Sequence, residues 1–318
     1  MGLVAVIGGS GVSDCPIFDS DWTTIETGYS NGHGSGRVWY KKNNDVIFIS
    51  RHGYKDDSID ETFGPCRTQY AANLIAIRMI AAREKKPVVV IATSAVGILN
   101  DRSTHSHTTE LHGRTGIAQT IVGERYSLEL PSLVVPDDVI DESLRDPNLY
   151  GIGAVTHFNP RPPFSTRLRE IILKEARTLN TAGRVDEKAT YVCITGDGFG
   201  TTAEGKKRGM YGDLVGMTVC PEAPMAIQLG LHYAVMCFPV DKDTDAKHDQ
   251  TLSWMRKYSE PAVVPALLAR VIPEAQKFAD EDPFLEQLKG NIIFGDLTRI
   301  TNEALQESMK ELKRKSGH

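Results

Sequence analysis

Short runs of consecutive apolar and β-branched residues recur at intervals along the chain, and they predict β-strands. Apolar residues at successive positions, rather than at alternating ones, indicate strands that are covered on both faces. Six such runs stand out: 3–8 (LVAVIG), 45–50 (DVIFIS), 87–97 (PVVVIATSAVG), 132–140 (SLVVPDDVI), 189–196 (ATYVCITG) and 232–241 (HYAVMCFPVD).

Between these runs, apolar residues recur with the period of an amphipathic helix. Two stretches carry such an apolar stripe, formed by Tyr70, Leu74, Ile77 and Ala81 in 66–84 and by Leu168, Ile171, Ile172 and Ala176 in 166–179. Strands that alternate with helices are typical of the α/β class, in which helices cover both faces of a sheet. We therefore predict an α/β fold.

The chain shows no internal repeat and no linker rich in Pro, Gly or Ser. We therefore predict one domain that spans 1–318. Two polar and weakly periodic segments, 54–66 and 100–131, are typical of surface insertions. Long segments of this kind in a compact domain are usually functional or mobile.

Composition and charge exclude several classes of protein. Apolar residues make up 41% of the 318 positions, and the 36 Lys and Arg are outnumbered by the 41 Asp and Glu, which argues against a nucleic-acid partner. The five cysteines include no CxxC pair, so neither a disulfide framework nor a zinc ribbon is indicated. No apolar run is long enough to cross a membrane, and the first strand leaves no room for a signal peptide. We expect a cytoplasmic protein without a membrane partner.

A glycine-rich turn follows the first predicted strand. The spacing of Gly8, Gly9, Ser10 and Gly11 does not match the GxGxxG of dinucleotide-binding folds, and no lysine of a nucleotide-binding P-loop follows. The backbone N–H groups of such a turn and the Ser10 hydroxyl can hold a small anion. An ordinary turn without a ligand is the alternative.

Other polar residues also follow apolar strands. Arg51 and His52 can hold an anion at a strand end, although a surface ion pair would explain the arginine equally well. Ser94 offers a hydroxyl at the end of 87–97. Asp241 and Asp243 follow the last strand, where two carboxylates can bind a metal or exchange protons with a nitrogen heterocycle, unless they belong to a solvated loop.

The order of these motifs resembles the trimeric class of nucleoside phosphorylases, most closely its 5′-methylthioadenosine phosphorylase branch. The matching stretches occur in family order from about residue 4 to about 246: VIGGSGV, RHG, QYAANLIAI, TSAVGIL, VPDDVID, THFNPRPPF, TGDGFGTTAE, DLVGMTVCPEAPMA and FPVDKDTDA. The resemblance implies one mixed, distorted barrel-like sheet flanked by helices, and assembly as a homotrimer or hexamer. It implies cleavage of a purine nucleoside by phosphate, with no cofactor and no metal.

The resemblance also implies roles for individual residues. The phosphate would be held by Ser10, Arg51, His52, Ser94, Ala95 and Thr218. Asp241 would protonate the leaving purine or hydrogen-bond it at N7, and Asp243 would hold the 6-amino group or orient the loop. The substrate would also contact Phe199, Gly200, Met217 and, from a neighbouring subunit, His157.

Base selectivity follows from two positions. Family members selective for 6-oxopurines carry Asn at the position of Asp241 and a base-reading Glu in the segment around Gly200. Asp241 and Gly200 therefore favour a 6-aminopurine nucleoside, and we expect 5′-methylthioadenosine as the substrate. A nucleoside hydrolase that uses water and a non-catalytic nucleoside-binding homologue are the alternatives.

Three departures from the family pattern bear on substrate choice. The usual EGPxFxT is replaced by TGDGFGTT, which places Asp197 where it could contact the base and ribose. The histidine that usually follows RHG is absent from RHGYKDD. The insertion 100–131 carries a histidine cluster, His105, His107 and His112, that could bind zinc. Polar loops often carry histidines and phosphorolysis needs no metal, so we expect none.

Overall fold

The structure is a computed structural model. It describes residues 1–9, 12–29, 35–99, 110–111, 114–115, 132–150, 154–179, 184–243, 251–282, 292–295, 305–306 and 310. In these residues the strands are β1 (Leu3–Gly8), β2 (Thr23–Glu26), β3 (Arg37–Asn43), β4 (Val46–Ser50), β5 (Gly53–Lys55), β6 (Asp60–Thr62), β7 (Val88–Ile98), β8 (Glu110–Leu111), β9 (Arg114–Thr115), β10 (Ser132–Val134), β11 (Asp138–Glu142), β12 (Ala154–His157), β13 (Arg184–Asp186), β14 (Thr190–Ile194), β15 (Leu214–Gly216), β16 (Tyr233–Lys242) and β17 (Ile292–Gly295).

Helices alternate with these strands, as the sequence pattern predicts. They are α1 (Tyr70–Glu84), α2 (Thr166–Leu179), α3 (Thr202–Arg208), α4 (Val219–Gln228), α5 (Thr251–Ser259) and α6 (Val264–Glu281). Two short 3₁₀ segments, Pro16–Phe18 and Pro65–Arg67, lie between strands.

One mixed sheet of eleven strands organises the fold, and it branches at β7. The first half of β7 runs parallel to β1, from the pair Leu3 and Val88 to the pair Ile7 and Ala92. Its last residues pair instead with β15, which runs antiparallel, while β16 stays parallel to β7 along most of its length. Because β1 ends where β7 continues, the sheet opens between Ala92 and Gly97. This branching distorts the sheet, as the resemblance to the nucleoside phosphorylases implied.

Helices cover both faces of the sheet, which explains the consecutive apolar residues. In β1, Leu3, Ala5 and Ile7 pack into one core with α1 and α4. Val4 and Val6, on the opposite face, pack into a second core with α2 and α6. All five side chains are fully buried, and burying each larger aliphatic side chain contributes about 1.5–3 kcal/mol. The predicted α/β fold with a mixed sheet is confirmed.

The boundaries of three segments differ from the predictions. The run 132–140 forms two strands, β10 and β11, since Pro136 has no N–H group to continue a ladder. The helix predicted over 66–84 begins only at Tyr70, after the 3₁₀ turn. The predicted insertion 54–66 carries most of a β5–β6 hairpin, with Gly53 opposite Thr62. The predicted insertion 100–131 lies outside the described residues except for β8 and β9.

Among the described residues, no helix is both long and apolar enough to cross a membrane. The organisation of 1–318 as a single domain stays a prediction.

Candidate active site

A cavity of about 280 Å³ lies at the branch of the sheet, beside Thr93–Gly97 of β7 and Gly9 at the end of β1. Its wall brings together residues that are distant in sequence. Nine of the twelve predicted site residues line it: Arg51, His52, Ser94, Ala95, Phe199, Met217, Thr218, Asp241 and Asp243. This convergence makes the cavity the candidate active site, while the role of each residue stays a prediction.

Three hydroxyl groups meet beside the cavity, and two of them, those of Ser94 and Thr218, belong to residues that line it. The Ser94 Oγ lies 3.1 Å from the Tyr191 hydroxyl and 3.3 Å from the Thr218 Oγ1. Tyr191 is fully buried in β14, and burial raises the pKa of its hydroxyl well above the ordinary value, so it remains a neutral hydrogen-bonding group. A Cβ atom on Gly216 would lie 1.9 Å from the Tyr191 hydroxyl, so only glycine leaves room for this arrangement.

Arg51 closes the wall beneath these hydroxyls. Its Nε and Nη2 donate to the two oxygens of Glu222, each over 3.0 Å. Nη1 donates to the Thr93 carbonyl over 2.8 Å, and Nη2 also donates to the Ile7 carbonyl over 3.3 Å. Burial lowers the pKa of Arg51, but the charge and hydrogen bonds of Glu222 outweigh that effect and raise it. The guanidinium therefore stays charged, with four of its five N–H groups held by protein.

His52 is oriented by the hairpin that follows it. Its Nδ1 lies 3.1 Å from the Phe63 carbonyl and 3.0 Å from the Thr68 Oγ1. The opposite edge of the ring faces Gly9, where a Cβ atom would lie 3.6 Å from Nε2. Burial, and then the positive charge of Arg51, lower the pKa of His52 to about 4. The imidazole is therefore neutral at pH 7.

Asp241 and Asp243 lie on another wall of the cavity, and both are buried. A bulge in β16 leaves Val240 without a pairing partner, since Pro239 pairs with Val96 and Asp241 with Gly97. The Asp241 Oδ2 accepts a hydrogen bond from the Thr251 hydroxyl over 3.1 Å. Asp241 is the last but one residue of β16, and Asp243 follows the strand.

Glycines let the chain pack closely around these carboxylates. A Cβ atom on Gly97 would lie 2.7 Å from the Asp241 Oδ1, and one on Gly205 would lie 2.9 Å from the Asp243 Oδ2. The backbone N–H of Asp243 donates to the Ile98 carbonyl over 3.0 Å. The two aspartates are thus packed closely against β7 and α3.

Apolar side chains form the rest of the wall. Met217 and Phe199 line the cavity, and Phe199 is 55% exposed. Helix α5 adds Met255 and Tyr258 beside Val240. The residues of α5 were not predicted for the site, because they belong to no family motif and reach the cavity only through the packing of α5 on β16.

Two of the described residues that were predicted for the site, Gly200 and His157, do not line the cavity. Ser10 lies outside the described residues. Gly200 lies behind the carboxylates, where a Cβ atom would meet Arg208 at 2.8 Å and Asp243 at 3.4 Å. His157 is exposed at the end of β12, away from the cavity of its own chain.

Asp197 is also absent from the cavity lining, although the sequence suggested a contact with the base or ribose. Its Oδ1 accepts a hydrogen bond from the Cys66 N–H, and its Oδ2 accepts one from the Cys66 thiol, both over 3.2 Å. Asp197 therefore joins its own segment to the 3₁₀ turn that follows the β5–β6 hairpin.

Two residues that support the wall, Glu222 and Arg145, were not among the residues predicted for the site. Glu222, fully buried in α4, holds Arg51 and accepts a further hydrogen bond from the Tyr233 hydroxyl over 2.7 Å. A lone acid within an apolar helix was the available signal for it. Arg145 donates to the carbonyls of Met217 over 2.8 Å, Cys220 over 2.5 Å and Ile194 over 3.4 Å, and to that of Thr195. Nothing in the residues around Arg145 indicated that it joins two walls.

Within the part of the chain that the structure describes, no three His, Cys, Asp or Glu side chains are grouped to hold a metal ion. His105, His107 and His112, the cluster that could bind zinc, lie outside the described residues.

This fold and cavity define a nucleoside phosphorylase type of protein, and comparisons with known proteins agree. The family model described as "Phosphorylase superfamily" matches residues 114–271. An S-methyl-5′-thioadenosine phosphorylase from Pyrococcus furiosus is 30% identical over 280 residues, which cover 86% of this chain and 93% of that protein. The chain therefore belongs to the family of purine nucleoside and S-methyl-5′-thioadenosine phosphorylases.

Other relatives show the range of this family. A 6-oxopurine nucleoside phosphorylase from Pyrococcus furiosus is 28% identical over 298 residues, covering 89% of this chain and 97% of that protein. The crystal structure of a methylthioadenosine phosphorylase from an antarctic soil metagenomic library aligns with a TM-score of 0.67 at 23% identity, covering 98% of both chains. A methylthioadenosine phosphorylase from Schistosoma mansoni aligns with a TM-score of 0.65 at 21% identity, covering 99% of this chain and 98% of that one.

Proposed function

We propose that this protein cleaves the N-glycosidic bond of 5′-methylthioadenosine with phosphate, giving adenine and 5-methylthioribose 1-phosphate. One observation carries the proposal: a single cavity has the hydroxyl groups of Ser94 and Thr218, which can donate to an oxyanion, and the two buried side chains of Asp241 and Asp243. Phosphorolysis of a nucleoside needs a place for the phosphate that attacks on one side of the sugar and polar groups that hold the purine leaving on the other.

The phosphate would occupy the end formed by Gly9, His52, Ser94, Ala95 and Thr218. As the glycosidic bond breaks, positive charge develops on the ribose, and a phosphate dianion below the ring stabilises that charge before it attacks the anomeric carbon. Hydroxyl and N–H donors hold the dianion, and the buried charge of Arg51 lies behind them. Ser10, in the glycine turn, completes this proposed set.

The purine would lie between Phe199 and the carboxylates. Asp241 would supply the proton that the leaving base needs, and Asp243 would hold its position through the 6-amino group. Relatives named for methylthioadenosine and for 6-oxopurine nucleosides are similarly close to this chain, so base selectivity rests on Asp241.

The sugar would lie against Met217, with its 5′ end toward the apolar surface formed by Val240, Met255 and Tyr258. Moving a methylthio group from water to such a surface costs little free energy, whereas a 5′-hydroxyl placed there needs a hydrogen-bonding partner. This apolar surface favours 5′-methylthioadenosine over adenosine.

The proposal includes the oligomeric state and the cellular compartment of the enzyme. We expect a cytoplasmic homotrimer or hexamer that needs no cofactor beyond phosphate as co-substrate. In such an assembly His157, exposed on its own chain, would reach the 5′ end of a neighbour's substrate.

A substrate panel tests the proposal. Methylthioadenosine, adenosine and inosine are each incubated with the enzyme, with and without phosphate, and the released base is measured. We expect phosphate-dependent release of adenine, fastest from methylthioadenosine. Base release that is indifferent to phosphate would identify a hydrolase, and tight binding without release would identify a non-catalytic homologue.

A further inference from the structure

We infer that the oxyanion site selects a protonated oxyanion, monohydrogen phosphate, whose P–OH group donates a hydrogen bond to Nε2 of neutral His52. This inference rests on the proposed phosphate site and deepens it. It assigns His52 the role of hydrogen-bond acceptor, whereas the other side chains proposed to hold phosphate act as donors.

The hydrogen bonds of the ring fix its tautomer. Nδ1 of His52 lies 3.1 Å from the Phe63 carbonyl, which can only accept, so Nδ1 must carry a proton. The second neighbour, the Thr68 Oγ1, lies 3.0 Å away and donates its own proton to the Gly64 carbonyl over 3.1 Å. Both neighbours of Nδ1 therefore accept. In the neutral ring, Nε2 is left with a lone pair.

That lone pair lies on the side of Gly9, at the wall of the cavity. Gly9 and His52 both line the cavity, and the edge of the ring that carries Nε2 faces Gly9. A fully ionised oxyanion placed there would bring an oxygen lone pair against the lone pair of Nε2. An oxyanion that keeps one proton would make a hydrogen bond instead.

The surroundings of His52 keep its ring neutral. Two cations, Arg51 and Arg145, oppose protonation, while Asp197 is the anion that favours it. Burial is the largest effect, and the net result lowers the pKa of His52 to about 4. Protonating the ring at pH 7 or above, so that Nε2 could donate to a fully ionised anion, is therefore costly.

This arrangement also accounts for a proton in the reaction. Monohydrogen phosphate and the nucleoside together give a neutral purine and a phosphate ester dianion, so the phosphate must lose its proton as the new C–O bond forms. That proton is released to solvent as the ester forms and does not reside on His52, whose protonation is costly. The electron pair of the broken C–N bond goes to the purine, which takes its proton from Asp241, and Asp241 regains one from solvent.

Comparing the binding of sulfate with that of phosphate distinguishes this role of His52 from simple anion binding, because sulfate has no proton to donate near neutrality. Phosphate is varied as substrate and sulfate as competitive inhibitor in an adenine-release assay between pH 7 and 9. We expect the ratio of the sulfate inhibition constant to the KM for monohydrogen phosphate to rise about tenfold per pH unit, because sulfate binding must take up a proton at His52. Titration of the carboxylates cancels in this ratio.

Two variants sharpen the test. In His52→Gln the side-chain amide can donate or accept by rotating, so the ratio should become independent of pH. His232→Gln is the matched control, because His232 is a buried histidine that is hydrogen-bonded to Ser165 and does not line the cavity. It should keep the pH dependence of the wild type.

The outcomes are distinct. A ratio that stays flat with pH in the wild-type enzyme, while adenine release still depends on phosphate, overturns the role of His52 and leaves the proposed function standing. Adenine release that does not depend on phosphate overturns both. The wild-type measurement decides the matter even if His52→Gln does not fold.

Discussion

The ion pair between Arg51 and Glu222 gives a sharp prediction, because acid can neutralise a carboxylate but leaves the charge of a guanidinium unchanged. Arg51 is 2% exposed and Glu222 is not exposed at all. Breaking a buried pair by removing one partner costs about 3–5 kcal/mol, because the remaining charge is uncompensated. Arg51→Met also leaves the Thr93 and Ile7 carbonyls without a donor, and such unsatisfied groups cost about 1–3 kcal/mol.

We therefore expect Arg51→Met and Glu222→Gln each to lose at least about 3 kcal/mol in the free energy of unfolding at pH 7.5. The two losses should respond differently to acid. The stranded carboxylate in Arg51→Met can be neutralised by protonation, so its deficit should shrink as the pH falls from 7.5 to 5. The stranded guanidinium in Glu222→Gln cannot lose its proton in this range, so its deficit should persist.

Urea unfolding at fixed protein concentration, followed by tryptophan fluorescence, measures these differences. The double variant Arg51→Met with Glu222→Gln removes both charges and should recover much of the stability lost in either single variant. A loss below about 1 kcal/mol in both single variants, or equal acid responses, would refute the reasoning. Because Arg51 also lies behind the proposed phosphate, Arg51→Met should raise the KM for phosphate even where the enzyme remains folded.

Three further predictions concern the site. Asp241→Asn should lower turnover of methylthioadenosine by at least about 100-fold, because proton donation typically contributes that much, and should raise inosine cleavage relative to adenosine cleavage in the base-release assay. Gly216→Ala should raise the KM for phosphate more than it lowers kcat, since its Cβ atom would displace the Tyr191 hydroxyl; an unchanged KM would count against the hydroxyl cluster. Because the pKa of folded His52 lies near 4, below the ordinary value of 6.5, the unfolded chain binds a proton first as the pH falls through 6.5. Wild type should therefore lose more stability than His52→Gln between pH 7 and 5, as chemical denaturation would show.

Much of the fold was accessible from local pattern. The runs at 3–8 and 87–97 predicted β1 and β7 closely, because strands buried on both faces must be apolar at successive positions. The stripe of 166–179 likewise gave α2, whose bounds match that range. The split of 132–140 into two strands depended on the neighbours of each half, since β10 pairs with β13 and β16 whereas β11 pairs with β14.

Family motifs also placed most of the candidate site. They could do so because Ser94, Thr218 and Asp241 belong to contiguous stretches that resemble the family. Residues that support them from other elements were not accessible in this way. Arg145 contacts the wall through backbone carbonyls, which any sequence provides, and α5 reaches the cavity only by packing on β16.

The sequence by itself determined which segments form buried strands and helices, and which short motifs could serve a phosphate and a purine, since both depend on residue type and near neighbours. The tertiary structure alone decided that β7 extends beyond the end of β1. The sheet therefore opens beside Thr93–Gly97, and the cavity lies in this opening. It also decided that Arg51 meets Glu222 and that the Nε2 edge of His52 faces Gly9. The physical reason is the same for each: these interactions join residues from separate elements, and only the packing of the whole chain fixes their distances.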